Sequence, residues 1–175
     1  FGQAEIDYNR YVYLTLAARK DWVSNLSEEN RSIIYPSASA SFVPTSAFPE
    51  IKSDKLTFLK VRAGYGTSAN FPFGYPISAT LNLDTQSFIR NGGGFVISNT
   101  SGSILGNPNL KPERIDEIEF GIEGRFFSNR LSMDLSIYNK KTNDLIIDRP
   151  LDPSTGYTLT KTNIGLIENK GVELD

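Results

Sequence analysis

Asp116, Glu117, Glu119 and Glu123 crowd enough carboxylates into one stretch to suggest the acid–base pair that cleaves glycosidic bonds. The three glutamates share one parity of an alternating run, however, which is the spacing of a solvated strand face. Nothing beside them supplies an acid–base environment, so no catalytic role is expected. Asp144, Asp148 and Asp152 are oxygen-rich enough to suggest calcium, but they lack the closing glutamate of a calcium loop. Gly92-Gly93-Gly94 neither follows a strand nor opens a helix, so it reads as a loop tip and not as a phosphate cradle.

Composition removes most other chemistry. The 175 residues contain no cysteine and no histidine, which excludes disulfides, Cys/His zinc sites and histidine-based triads. No metal or cofactor is expected. A net charge of −2 without a concentrated basic surface argues against a nucleic-acid partner. The residues left as contact candidates are aromatic: Phe71, Phe73, Tyr75, Phe88 and Phe95 fall in one long polar stretch, where exposed rings stack on sugars or peptides or pack against a partner.

The elements that would position these residues are strands. From Ile115 onward, Ile118, Phe120, Ile122 and Phe126 fall on one parity and Glu117, Glu119, Glu123 and Arg125 on the other. Phe127-Ser128-Asn129-Arg130 supplies a turn, and Leu131, Met133, Leu135 and Ile137 then resume the apolar parity. Pro108 and Pro112 mark a loop ahead of this hairpin. Asn107 to Arg114 reads as architecture that turns that loop back into the wall.

Similar alternation predicts strands near Tyr8–Lys20, Tyr35–Val43 and Leu56–Gly66, and a last one from about Glu168, giving about six in an antiparallel meander. In the third, Leu59 and Val61 oppose Lys60 and Arg62. Residues 67–113 and 139–163 read as long polar connections, the first with room for a small hairpin. The chain opens at Phe1 and stops inside an apparent strand, so it is expected to be a fragment.

Alternation alone fits either a soluble antiparallel sheet or a membrane barrel. Loop lengths separate the two. Long connections follow strands one, three and five and shorter ones follow strands two and four, the asymmetry of an outer-membrane barrel. On that reading Leu59, Val61, Ile118, Phe120, Ile122, Leu131, Met133, Leu135 and Ile137 face lipid. Lys60, Arg62, Glu117, Glu119, Glu123 and Arg125 then face a wet lumen, where their charge costs little. Trp22 and Tyr35, near strand ends, suit either an interfacial aromatic belt or loop packing.

Five stretches resemble a known family. They are Tyr13-Leu14-Thr15 through Arg19-Lys20-Asp21-Trp22; Glu28-Glu29-Asn30-Arg31-Ser32 with Tyr35-Pro36-Ser37; Phe58 to Gly66; Asn107 to Arg114; and Asn163 to Leu174. In this order and spacing they resemble the barrel of SusC/RagA-type TonB-dependent transporters of Bacteroidetes, over nearly the whole chain except parts of the loop between Ser68 and Gly106. The resemblance implies an all-β fold, an antiparallel meander forming part of a transmembrane barrel of about 22 strands, with the plug domain absent from this chain. It also implies import of oligosaccharides or peptides across the bacterial outer membrane, with the rest of the barrel and its plug, a SusD-like surface lipoprotein, TonB and outer-membrane lipid as partners. Two other functions remain open: a soluble all-β carbohydrate-binding module, and a structural or secretion-related barrel without transport.

Overall fold

The computed structural model describes residues 1–84, 89–95 and 98–175. In chain order the strands are β1 (Gly2–Tyr8), β2 (Val12–Trp22), β3 (Ser32–Phe42) and β4 (Leu56–Asn70). Five short ones follow: β5 (Leu81–Asp84), β6 (Ile89–Arg90), β7 (Gly94–Phe95), β8 (Ser98–Ser101) and β9 (Ile104–Leu105). The last five are β10 (Glu113–Phe126), β11 (Leu131–Asn143), β12 (Ile146–Pro150), β13 (Leu159–Asn163) and β14 (Leu166–Leu174). Seven of them form one antiparallel sheet in the order β1-β2-β3-β4-β10-β11-β14.

That sheet has one strand more than the sequence pattern suggests. The apolar parity starting at Tyr8 belongs to two strands, joined by a turn at Asn9 and Arg10, both with positive φ. No glycine marks this turn, which is why the alternation runs on through it in the sequence. The strand predicted to end at Tyr138 continues to Asn143, and β4 continues past Gly66 to Asn70. The predicted turn at 127–130 is present, with Phe127, Ser128 and Asn129 all left-handed.

Register places a row of apolar positions on one face. Val61 lies opposite Phe42 and Ile122, Ile122 lies opposite Leu135, and Leu135 lies opposite Leu174. On the other side of β3, Leu14 pairs with Ala40 and with Ile6. The row is thus continuous across all seven strands, and among the described residues nothing covers it. Among the described residues the buried aliphatic side chains are Leu26, Val43 and Leu110, each in a connection and not in the sheet. Ile118, Phe120 and Ile122 stay 46%, 55% and 47% exposed.

The connections differ at the two ends. Short turns close β1–β2 and β10–β11, and the link between β3 and β4 is compacted by a helical turn, Pro44–Ala47. There the Thr45 hydroxyl accepts the Leu59 amide at 3.2 Å, satisfying β4 backbone beyond the reach of β3. At this end Tyr8, Tyr11, Phe42 and Phe48 form a chain of edge-on ring contacts. The opposite end carries residues 23–31, 71–112 and 144–165.

The last two of those connections are not structureless. β5 with β8 and β6 with β7 form the small hairpin expected in the first. The second, expected as a polar connection, instead holds the β12–β13 hairpin, and β9 of the first adds to β13 in parallel. These strands are short, and the apolar residues of β9 and β12 fall on consecutive positions, so no sustained apolar alternation announced them.

Candidate functional site

The polar face is held together by charge laid across the ladder. Lys60 lies directly opposite Glu123, and Glu117 directly opposite Lys140, with 3.6 Å between the latter pair. Arg125 contacts Glu123 at 2.9 Å and sits over the Phe58 ring. Lys60, Arg62, Arg125 and Lys140 interleave with Glu117, Glu119, Glu123 and Asp134, while Glu5, Asp7 and Glu173 add further carboxylates to the same face. Charge pairs on a half-exposed surface set shape and wetting more than stability.

One contact spans three strands. Arg62 on β4 reaches over β10 to Asp134 on β11, making a two-toothed pair with both distances 2.7 Å, and its Nε lies 3.4 Å from Glu119. Gly121 is the reason it can cross. A Cβ there would stand 2.4 Å from the guanidinium Nε. The Tyr138 ring uses Gly171 in the same way, at 2.5 Å. Sequence periodicity shows neither contact, because each depends on the register of a neighbouring strand. The signal available is a glycine replacing the expected polar residue between Glu119 and Glu123.

The predicted site residues fall where their parity puts them. Lys60, Arg62, Glu117, Glu119, Glu123 and Arg125 share the polar face. Leu59, Val61, Ile118, Phe120, Ile122, Leu131, Met133, Leu135 and Ile137 share the apolar one. Asp116 separates from the three glutamates and lies on the apolar parity, where it accepts the Tyr65 hydroxyl at 2.9 Å and the Asn143 amide at 3.1 Å. Tyr35 corrects the belt reading: it pairs with Arg19 on the polar face, and its hydroxyl donates to Asp21. Trp22 takes the apolar parity near the long-loop end, 64% exposed, with Lys20 over its ring.

The long connections are tied into one body around Asn107–Arg114. Asn163 accepts the Lys111 amide and donates to the carbonyls of Lys111 and Asp144, all at 2.8 Å. Asn107 donates to the Lys161 carbonyl at 2.8 Å, and Leu110 beneath is fully buried. Glu113, also buried, accepts the Asn70 amide and the Ile146 backbone amide, each at 2.8 Å. Of the aromatic candidates, Phe73 is 98% exposed and Tyr75 66%, while Phe71 is half-buried. Phe95 belongs to β7, and Phe88 lies outside the described residues.

A single-layer sheet with one continuous apolar face, one charged face and long loops at one end defines the wall of an outer-membrane-type β-barrel. The chain belongs to the TonB dependent receptor-like β-barrel family, which matches residues 1–175. Barrels of this family lie in the bacterial outer membrane. TonB-dependent receptor P26 of Formosa agariphila is 33% identical over 99% of this chain, and SusC of Bacteroides thetaiotaomicron 27% over 94%. The chain spans 17% of the length of each. Among solved structures, the RagAB peptide importer in its closed-closed state superposes with a TM-score of 0.86 at 26% identity, over 98% of this chain and 18% of that one. The siderophore receptor PirA of Pseudomonas aeruginosa shares the fold, with a TM-score of 0.63.

Proposed function

We propose that these residues form part of the wall and outer loops of a transporter that imports large nutrients, oligosaccharides or peptides, across the outer membrane. Energy would come from TonB acting on a plug elsewhere in the protein, and a SusD-like lipoprotein would cap the loops. The observation that carries this reading is the uncovered apolar face. In water, contiguous exposed apolar surface beyond a few hundred Å² marks a contact surface, and here it crosses seven strands without a second layer. Lipid is the medium that matches it, so Leu59, Val61, Ile118, Phe120, Ile122, Leu131, Met133, Leu135 and Ile137 are assigned to acyl chains. Lys60, Arg62, Glu117, Glu119, Glu123 and Arg125 are assigned to the lumen.

A soluble carbohydrate-binding module would need a partner layer, which the described residues do not supply. The free edges at β1 and β14 would leave backbone groups unpaired in hydrocarbon at several kcal/mol each, so further strands must close the wall. The peptide class gains support from the likeness to the RagAB importer, and the exposed rings of Phe73 and Tyr75 give cargo or lid a surface to stack on.

The test uses the whole transporter in cells. Deleting residues 71–75 is expected to lower uptake of labelled peptide or oligosaccharide while the barrel still assembles, and loss of TonB is expected to abolish uptake. Full uptake without TonB would exclude energy-coupled import and favour a structural or secretion-related barrel.

A further inference from the structure

The apolar face stops abruptly at Ile118. One strand pair further toward the long loops, the same face turns ionic across three adjacent strands. Glu168 on β14 holds Lys141 of β11 at 3.5 Å and Lys170 of its own strand at 3.2 Å. Beside them on β10, Arg114 pairs with Asp116 at 3.0 Å. Three cations thus face two carboxylates. Lys141 and Lys170 remain 48% and 66% exposed, with ammonium donors left over after Glu168.

Directly below runs a groove of about 370 Å³ with Ile118, Phe120, Ile137 and Val172 along it and Asn139 and Lys170 at its head. Asn139 donates its amide to Glu168 at 3.1 Å, while its buried Oδ1 has no partner among the described residues.

The geometry points to a binding site for one phosphorylated, acylated glycolipid of the outer leaflet on the outward face between β10 and β14. An acyl chain lies along the groove, and a phosphate takes the spare donors of Lys141 and Lys170. The order of features matches the membrane: hydrocarbon-matched surface first, cations at headgroup height, then the long loops that barrels place outside. Charge complementarity selects an anionic lipid over a zwitterionic one. This site rests on the proposed lipid-facing side of the sheet.

The test places the full-length transporter in phosphatidylcholine nanodiscs doped with diphosphoryl lipid A or with its dephosphorylated form, and counts retained glycolipid by native mass spectrometry. Wild type is expected to retain the phosphorylated form about tenfold better, the effect of losing a charge-assisted contact. The double substitution Lys141→Gln/Lys170→Gln is expected to erase that preference, and Val172→Trp to reduce retention of both forms by filling the groove. Lys140→Gln, on the opposite face, is expected to change nothing. Equal retention of the two lipids by wild type, or an undiminished preference in the double variant, would overturn the site. Heat-modifiable gel migration verifies folding of each variant, and a single Lys170→Gln replaces the double if it fails to fold. Normal assembly of Ile122→Arg would instead sink the lipid-facing side itself, which separates the two failures.

Discussion

The wall and the loop body are built from the same chain by opposite means. In the wall, backbone pairing is nearly complete and side chains bury almost nothing; one face is apolar and the other charged, and Arg62 crosses Gly121 to reach Asp134. In the loop body, regular pairing is sparse, and order comes from the buried Leu110, the carboxylate of Glu113 and the amides of Asn107 and Asn163. A surface that meets its proper medium needs no core. A loop cluster that stands in water on both sides needs one, however small.

Substitutions that strike one region and spare the other test this contrast. The largest effect is expected from Leu110→Ala, which empties the centre of the loop body at about 2–5 kcal/mol. Protease digestion of the assembled barrel should then cut residues 71–112 and 144–165 while the wall stays intact. Ile122→Arg should do the reverse, costing about 2–4 kcal/mol at mid-membrane depth and lowering the folded fraction in lipid. If both variants damaged both regions equally, the division would be wrong.

Asn163→Ala removes three hydrogen bonds to the backbone and leaves Lys111 and Asp144 groups unpaired, for about 1–3 kcal/mol. Hydrogen exchange should quicken at Lys111 and in β12–β13 together. Asp152 offers a smaller probe by pH. Its carboxylate caps the turn Pro153–Thr155, and hydrogen bonds from Ser154, side chain before backbone, hold it below the usual carboxylate range. The ionised form is therefore the one the fold favours. Its contribution is present above the ordinary carboxylate range and fades as pH falls through the lowered native value. An NMR titration should show the Ser154 amide moving at lower pH than a free aspartate would dictate. Glu123→Ala, beside Ile122 but on the polar face, should leave assembly within about 0.5 kcal/mol of wild type.

Much of the wall was legible because a strand's period of two survives in the sequence wherever one medium touches one face. Ile118 through Ile137 declared their side this way. Tyr35 shares parity with Ser37, Ser39 and Ser41, a signal that its reading as a belt or loop-packing ring passed over. β1 was hidden because a turn built on Asn9 and Arg10 lacks the glycine that usually punctuates a hairpin. β12 and β13 were hidden because Ile146 and Ile147 occupy consecutive positions and β13 carries a single apolar residue, Leu159, so neither alternates. The Arg62–Asp134 bridge was hidden because it requires three strands in known register, which local pattern does not encode.

The alternation that sorts the faces also thins greasiness along the chain. In β10 and β11 apolar residues mostly alternate with polar ones; the mean hydropathy of the chain is −0.28, and among the described residues no helix is long and apolar enough to cross a membrane. A translocation channel that diverts continuous apolar segments of about 20 residues into the inner bilayer finds nothing here to arrest. This stretch becomes oily only when its strands line up side by side.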